Sequence, residues 1–535
     1  MDDERAVAWT AAHRAPLDLE QCEPALRAVV AEIEAAPALT ARRLAQILRA
    51  HPLPDGGLLA KDQILRGYRQ LCRQEGHQPD PELVRRLRVK PTRTISGVAP
   101  VTVLTRPQPC PGVCIFCPSV ADMPKSYLPD EPGAMRAAAH RFDPYEQAAG
   151  RVAAMGELGH HVDKVELLIL GGTWSSYPRD YQEWFVRRLL DALNGRDAAT
   201  LEQAQAWNED APRRNVGLVI ETRPDCVTPE ELTHLRRLGV TKVQLGVQSL
   251  DDRILALNRR GHTVADTRQA MRLLRLAGFK IVAHWMPNLL GATPQSDLAD
   301  FRRLWEDPGL RPDELKIYPT ALLRDTGLYE LWRSGAYQPY DEPTLVQLLA
   351  ECKTLMPLYC RINRLMRDIP APNIMAGVKK TNLRQVVQEE LARQGRICGC
   401  LRCREVRGRS VAAEALHLVR TEYATDGTTE CFLSMETPEG QVAGFLRLSL
   451  PNVSPPITEL EGRAVIREVH VYGPALDLGG RREGAVQHAG LGTQLLKAAR
   501  RIACERGYDG LAVIAAIGTR TYYEERGFAR GELYM

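Results

Sequence analysis

The stretch CPGVCIFCPS, residues 110–119, places three cysteines at the spacing C-x3-C-x2-C in a chain of 535 residues with only 13 cysteines. Three thiols are an odd number for disulfide pairing, and one fewer than the four ligands of a closed zinc site. A [4Fe–4S] cluster held by Cys110, Cys114 and Cys117 fits better, because its fourth iron can then bind a small molecule. A zinc knuckle and merely packed thiols are the alternatives.

The residues after these cysteines alternate between strand-like and helix-like patterns. Helices are predicted to begin at Thr228, where Glu231 would close a capping box, and at Thr263, and to end at Gly239 and Gly278. Such repetition builds a parallel sheet with right-handed crossovers, and therefore a partial or full barrel whose chemistry lies at the carboxyl ends of the strands. After a first strand in PVTVL, the strand-like runs are 165–170, 216–222, 242–249, 280–286 and 314–319.

Glycines and polar residues follow several of these strands. Gly171, Gly172 and Thr173 form a turn whose backbone a ligand or a neighbouring segment can approach closely. Taken alone, a Gly-Gly turn is usually only a turn. A barrel mouth that binds a charged ligand needs polar groups of this kind, and the further candidates are Glu221, Arg223, Gln248, His284 and Lys316.

Two stretches outside the barrel carry their own signals. The segment CGCLRC offers Cys398, Cys400 and Cys403 at a spacing tight enough for one zinc ion. The fourth ligand stays open between Cys352, Cys360, His417 and water, and reduced, packed cysteines are the alternative. The basic stretch LVRRLRVKPTRTISG is either a solvated helix face or a phosphate-binding patch; its cations are Arg85, Arg86, Arg88, Lys90 and Arg93.

The last 125 residues read as a separate α+β domain. The segment QHAGLGTQLL places glycines at the start of a helix, where backbone N–H groups bind pyrophosphate. It follows a strand and precedes another strand and a short helix, and this order resembles the GNAT acetyltransferases. The resemblance implies acetyl-CoA binding, with Tyr522 and Tyr523 in contact with the cofactor thiol. For these two tyrosines, packing in the core is the alternative. The other cofactor contacts that the resemblance implies are Glu468, Val469, His470, Val471, Gln487, Gly490, Leu491, Gly492 and Thr493.

The composition excludes some classes of protein. A hydrophobic content of 44% and a charged content of 25% are ordinary for a soluble globular chain, and the apolar runs are too short to span a bilayer. The first residues show no secretory signal, so we expect a cytoplasmic protein with reduced cysteines. A net charge of +4 means that a polyanionic partner would need a local basic patch.

The cysteine spacing is the signature of the radical S-adenosylmethionine (radical SAM) superfamily. From about residue 80 onward, segments such as KPTRTISGVAPV, DKVELLILGGT, LGVQSL and REVHVYG resemble the catalytic subunit of Elongator and its stand-alone prokaryotic relatives. The fold implied is a radical SAM partial (βα) barrel with a helical N-terminal segment, a Cys-rich linker and a C-terminal GNAT α+β domain. The domain boundaries we expect are 1–95, 96–360, 361–410 and 411–535.

The resemblance also implies an activity. Members of this family modify C5 of the wobble uridine (U34) of tRNA: an electron from the cluster cleaves SAM, and the resulting radical is thought to act on the methyl group of acetyl-CoA. The basic stretch then becomes a tRNA-binding segment, Lys316 a catalytic residue, and Lys164 a contact of the acyl-CoA or SAM region. One departure is Asn288, where relatives carry an aspartate.

Three other functions remain open from the sequence. The chain could be a protein lysine acetyltransferase with a structural radical SAM domain, a radical SAM enzyme of the coproporphyrinogen dehydrogenase type, or a tRNA-binding scaffold without turnover. The preferred acyl-CoA, the tRNAs used and homodimer formation are also open.

Overall fold

The computed structural model describes residues 19–407, 411–472 and 490–535. The N-terminal part is a group of four helices with a small apolar core of its own around Leu26 and Ile64. Arg69 joins it to the next domain by donating a hydrogen bond of 2.6 Å to the carbonyl of Gly156. The helices are α1 (Leu19–Ala35), α2 (Ala41–Ala50), α3 (Lys61–Gln74) and α4 (Pro81–Leu87).

The central domain is built on a curled, seven-stranded parallel sheet whose strands pair in the order β1-β2-β3-β4-β5-β6-β8. The edge strands β1 and β8 do not pair with each other, so the barrel is open along one side, as the predicted partial barrel requires. The strands are β1 (Ala99–Leu104), β2 (Lys164–Leu170), β3 (Arg214–Thr222), β4 (Lys242–Gln248), β5 (Lys280–Trp285), β6 (Glu314–Ile317) and β8 (Arg361–Arg364). A short antiparallel pair lies beside them, β7 (Leu322–Leu323) with β9 (Ile374–Ala376).

Helices cover the outside of this sheet. Thr263 caps the following helix as predicted, and it also exchanges hydrogen bonds with Asp266, which completes a capping box. Thr228 also caps its helix, but the capping box predicted there is wrong, because Glu231 pairs with Arg179 at 2.6 Å instead. The helices are α5 (Pro132–Ala139), α6 (Pro144–Glu157), α7 (Arg179–Asn194), α8 (Leu201–Asn208), α9 (Pro229–Arg237), α10 (Asp252–Leu257), α11 (Val264–Leu276), α12 (Pro294–Glu306), α13 (Gly327–Arg333) and α14 (Glu342–Thr354).

The seventh strand was missed by the sequence pattern. Strand β8 follows the boundary expected at residue 360, so the barrel sheet extends into the segment assigned to the linker. Its sequence, RINR, is short and polar, and it has no apolar alternation that would mark a strand. Two short helices complete the linker, α15 (Leu383–Arg393) and α16 (Leu401–Arg404).

The C-terminal domain is a five-stranded sheet in the order β10-β11-β12-β13-β14, with only the last pair parallel. This confirms the predicted α+β domain. Its elements are β10 (His417–Thr425), β11 (Thr428–Glu436), β12 (Val442–Pro451), β13 (Arg463–Val471), α17 (Leu491–Glu505), β14 (Gly510–Val513) and α18 (Arg520–Glu524). Within the described ranges, no helix is both long and apolar enough to cross a membrane.

A buried ion network joins the C-terminal domain to the barrel. Asp313, just before β6, accepts two hydrogen bonds of 2.7 Å from Arg467 on β13, and Arg467 also contacts Glu430 on β11. Arg275 on α11 and Arg447 on β12 lie 3.3 and 3.6 Å from Asp313. Although burial opposes ionisation, these arginines hold the pKa of Asp313 well below its usual value. The network therefore fixes β13 against the amino ends of the barrel strands.

Replacing Asp313 should destabilise the protein strongly. Asp313→Ala leaves three arginines buried without their shared carboxylate, and breaking a buried charge network of this kind costs about 3–5 kcal/mol. The exposed carboxylate of Glu330, paired with Arg333 at 3.7 Å, is the matched control, for which Glu330→Ala should cost less than about 1 kcal/mol. Urea unfolding followed by tryptophan fluorescence compares the two, and equal losses would contradict the role of the network.

Candidate active site

One cavity of about 880 Å³ runs through the barrel from end to end. At the carboxyl ends of the strands it is lined by Cys110, Cys114 and Cys117. At the amino ends it is lined by Glu468 and Tyr523 of the C-terminal domain. The residues predicted for two separate ligands therefore border the same internal space.

The three cysteines lie on the loop after β1, and each is partly exposed toward the cavity. Backbone hydrogen bonds hold this loop, because the N–H of Ile115 binds the carbonyl of Asn258 and the N–H of Leu328 binds the carbonyl of Ile115. Burial, together with the nearby Cys114, raises the pKa of Cys117 to about 12. A cationic metal centre would offset this by favouring the thiolate.

The Gly-Gly turn after β2 faces the cysteine loop. Gly171 and Gly172 have φ angles of +135° and +109°, a region that L side chains rarely adopt. A β-carbon on Gly171 would also overlap the hydroxyl of Thr105. Thr173 lies 3.5 Å from the sulfur of Cys110, so the turn and the cysteine loop border the same part of the cavity.

Charged side chains line the cavity between its two ends. Lys316 donates to Glu221 at 3.1 Å and also contacts Gln244. Gln248 and His284 lie nearer the mouth, and each has a buried polar atom, Oε1 and Nε2 respectively, without a partner among the described residues. Burial, and then Lys316, keep the pKa of His284 well below its ordinary value, so its ring is neutral.

A second layer of ion pairs lies closer to the C-terminal domain. Lys242 is 2.6 Å from Glu166 and 3.6 Å from Glu314. Lys280 lies 3.3 Å from Glu314 and also pairs with Glu468 of β13. Burial opposes the charge on Lys242, but the two carboxylates raise its pKa above the usual value. The interior therefore stays ionised and polar, unlike a barrel core filled by apolar side chains.

The C-terminal domain closes the amino end of the cavity. Glu468, Val469 and His470 line it, and Val471 continues the same strand. Burial lowers the pKa of His470 to about 4, although the neighbouring Glu468 opposes this shift.

The two predicted tyrosines differ in position. Tyr523 is buried and faces the cavity. The hydroxyl of Tyr522 lies 2.6 Å from the place that a β-carbon of Gly492 would occupy. Tyr522 therefore borders the start of α17, where Gly490, Leu491, Gly492 and Thr493 lie, whereas Gln487 falls outside the described residues.

Lys164 and Asn288 lie away from the cavity wall. Lys164 begins β2 and pairs in register with Arg214, against which the turn at Gly518 of the C-terminal domain packs closely. This places Lys164 at the amino end of the barrel, away from the cysteine loop.

The backbone of Asn288 is held by Asp297 and Tyr337, and the residue does not line the cavity. The replacement of aspartate there therefore does not alter the lining of the mouth.

The linker cysteines form a compact group. The sulfur atoms of Cys398, Cys400 and Cys403 all lie within 4.8 Å of one another, and in the described part of the chain this is the only such group of metal-ligating side chains. Hydrogen bonds from the other two thiols lower the pKa of Cys400 to about 2. Neither Cys352, Cys360 nor His417 joins the group, so the protein supplies three close donors.

The basic segment is only partly available to a ligand. Arg85 pairs with Glu82, while Arg86 and Arg88 donate to the backbone carbonyls of Ala36 and Gly159. These interactions stabilise the protein itself. The side chains of Lys90 and Arg93 are exposed and have no hydrogen-bond or ion-pair partner within the described ranges.

Arginines that the sequence patterns did not single out flank the open side of the barrel. Arg136 of α5 and Arg151 of α6 line the cavity next to Arg93 on the β1 side, and Arg402 lines it on the β8 side. Burial, followed by repulsion from Arg136 and Arg93, lowers the pKa of Arg151 to about 10. None of these side chains has an acidic partner among the described residues. Together, Arg93, Arg136, Arg151 and Arg402 are called the open-side arginines below.

The open barrel and its three-cysteine loop define a radical SAM domain. The family model for the radical SAM superfamily matches residues 108–303, and that for the radical SAM C-terminal domain matches residues 312–393.

Named relatives extend the similarity over most of the chain. The tRNA uridine(34) acetyltransferase of Dehalococcoides mccartyi is 44% identical over 83% of this chain and 98% of its own length. Human Elongator complex protein 3 is 37% identical over 85% of this chain and 86% of its own.

A solved structure agrees with this similarity. Methanocaldococcus infernus Elp3 with an N-terminal deletion superposes with a TM-score of 0.73 at 39% identity, and the match covers 83% of this chain and 99% of that one. The chain therefore belongs to the family of tRNA uridine(34) acetyltransferases and Elongator complex protein 3, as its motifs indicated.

Proposed function

We propose that this protein modifies C5 of the wobble uridine of tRNA, using a SAM-derived radical and acetyl-CoA to build a carboxymethyl-type group. The observation that carries the proposal is the single cavity bordered by the cysteine loop at one end and by β13 and Tyr523 at the other. C5 of uracil is not acidic, so a radical route suits this carbon. Reactants generated at the two ends can meet without leaving the protein.

The residues at the mouth suit a cluster and its ligand. Cys110, Cys114 and Cys117 supply three thiolates and leave one position open. When bound there, a [4Fe–4S] cluster would supply the electron that cleaves SAM. Because Gly171 and Gly172 have no side chains, a ligand can come close to the backbone of this turn. Glu221 and Gln248 are polar groups that can orient the ligand.

The other end suits an acyl-CoA. Backbone N–H groups at the start of α17 can bind a pyrophosphate, since a helix N-terminus favours anions. The edge of Glu468–Val471 that no described strand pairs with could bind the pantetheine arm. We assign the contact with the thiol to Tyr522, beside Gly492, and Tyr523, on the cavity wall. Lys164 lies at this same end, and we assign it to acyl-CoA rather than to SAM.

Lys316 is proposed as the catalytic cation of the interior. It stays next to Glu221 and Gln244 in the middle of the cavity, between the two ligand sites. A fixed ammonium there can stabilise negative charge on a thioester or uracil oxygen, because few water molecules compete in such a site.

The tRNA backbone would bind at the open side of the barrel. The open-side arginines lack acidic partners in the described structure. Arg93, Arg136 and Arg151 also repel one another, so bound phosphates would relieve an unfavourable arrangement. Lys90 extends the same surface. A flipped wobble base could then enter the cavity between β1 and β8. Because tRNA would be its substrate, we propose a cytoplasmic location for the protein.

The activity is tested by anaerobic reconstitution. Protein with iron, sulfide, reductant, SAM, acetyl-CoA and unmodified tRNA should yield a carboxymethyl- or acetyl-type uridine in nucleosides analysed by mass spectrometry. Cys114→Ala should abolish the product, whereas Cys226→Ala, at a cysteine outside the C-x3-C-x2-C loop, should retain it. Peptide acetylation that persists in Cys114→Ala, with uridine unchanged, would favour the acetyltransferase alternative instead.

The open-side arginines give a separate prediction. Arg136→Gln with Arg151→Gln should weaken tRNA binding to a similar extent for all sequences, and should reduce the salt dependence of the affinity by about one unit of slope per lost phosphate contact. The exposed residues Arg333 and Arg501 allow a double variant with the same charge change. Equal losses in both double variants would show that only net charge matters.

Zinc is proposed at the linker cysteines. Purified protein should contain about one zinc ion per chain, with a water or another ligand at the fourth position. Cys400→Ser should lose the zinc and lower the thermal midpoint, because metal binding contributes to folding free energy. Cys504→Ser, which alters an exposed thiol, should retain both. Full zinc content in Cys400→Ser by elemental mass spectrometry would place the metal elsewhere.

A further inference from the structure

Two arginines lie directly behind the cysteine loop. Arg260 donates through Nη1 to the sulfur of Cys114 at 3.6 Å, and through Nη2 to the carbonyl of Gly246 at 2.7 Å. Arg223 binds Asp225 through Nε and Nη2 at 2.9 and 2.8 Å, which leaves its Nη1 buried and without a partner among the described residues. Only 3% of Arg223 and 7% of Arg260 are exposed.

Two glycines make room for these guanidinium groups. A β-carbon on Gly246 would lie 2.6 Å from Nη2 of Arg260. A β-carbon on Gly112, between the first two cysteines, would overlap Nη1 of Arg223 and lie 3.6 Å from the sulfur of Cys114. The absence of side chains at both positions is therefore what lets the arginines approach the sulfur atoms.

The two arginines differ in whether a carboxylate neutralises their charge. Arg223 is neutralised by its ion pair with Asp225. Arg260 has no carboxylate partner in the part of the chain that the structure describes, so it places an uncompensated cation against Cys114. Neighbouring His262 adds no charge, because burial, followed by Arg260 and Arg223, lowers its pKa to about 3.

A cation that donates a hydrogen bond to a cluster sulfur changes the reduction potential of the cluster. The reduction potential of an iron–sulfur cluster depends on net charge, on hydrogen bonds to the sulfurs and on solvent exposure. Reduction adds one electron to the cluster and breaks no bond of the protein. A nearby positive charge attracts that electron more strongly in a poorly solvated site than in water.

We infer that Arg260 is a positioning and tuning residue that raises the reduction potential of the cluster held by Cys114, with Nη1 of Arg223 as a second donor to the same loop. The inference rests on the proposed function, in which Cys110, Cys114 and Cys117 bind the cluster. It assigns Gly246 and Gly112 the role of admitting the guanidinium groups.

The test is an anaerobic redox titration of the reconstituted protein without SAM, followed by electron paramagnetic resonance. In Arg260→Met, the ratio of reduced to oxidised cluster at a fixed potential should fall at least tenfold, which is about 59 mV for a one-electron couple. Arg260→Lys, which keeps the charge, should restore most of the shift. Arg259→Gln removes a charge from the exposed neighbouring residue and should leave the midpoint unchanged.

A second variant keeps every charge in place. In Gly246→Ala the new methyl group should push Arg260 away from Cys114 and shift the midpoint in the same direction as Arg260→Met. Unchanged midpoints in both variants, with normal iron content, would overturn the inference. Weaker SAM binding with an unchanged midpoint would also overturn the inference, since Arg260 would then bind SAM. Loss of iron from both variants would overturn it too, since Arg260 would then be needed for cluster assembly.

Failure of the proposed function would look different. In that case the wild-type protein would show no [4Fe–4S] signal, or the signal would persist in Cys114→Ala. A wild-type signal that disappears in Cys114→Ala, together with unshifted midpoints in the arginine and glycine variants, would reject the inference about Arg260 alone.

Discussion

The buried contact between Asp313 and Arg467 is the constraint on which the active site depends. Asp313 precedes a barrel strand and Arg467 lies on β13, so their paired hydrogen bonds of 2.7 Å set the C-terminal sheet against the amino ends of the barrel. Both side chains are fully buried, which makes other arrangements of the two domains costly. Because β13 also carries Glu468 and His470, the same contact turns a proposed acyl-CoA surface toward the barrel interior.

The polar interior follows from this arrangement. A barrel closed by its own apolar side chains would separate the two ends, whereas here Lys242, Lys280 and Lys316 pair with carboxylates around an internal cavity. Arginines that line the cavity flank the open side between β1 and β8. The family similarity extends over most of the chain, in agreement with a function that needs both the barrel and the C-terminal domain.

Local patterns predicted the parts of this structure that local chemistry determines. The cysteine spacing correctly indicated a radical SAM domain. The strand-like runs and the caps at Thr228 and Thr263 were correctly predicted because each depends on neighbouring residues. Local patterns could not predict the role of Arg88, since its partner is the carbonyl of Gly159, 71 residues away. Arg260 likewise reaches Cys114 across 146 residues. Such contacts depend on the tertiary fold, and no spacing in the sequence indicates them.

The central claim is that the two ligand sites communicate through one cavity, and deuterium transfer tests it most directly. Acetyl-CoA with a fully deuterated methyl group is incubated with reconstituted protein, SAM, reductant and unmodified tRNA, and the 5′-deoxyadenosine formed is analysed by mass spectrometry. If the cavity connects the cysteine loop with β13, deuterium should appear in 5′-deoxyadenosine. SAM cleavage that yields only unlabelled 5′-deoxyadenosine, while uridine is still modified, would contradict the account.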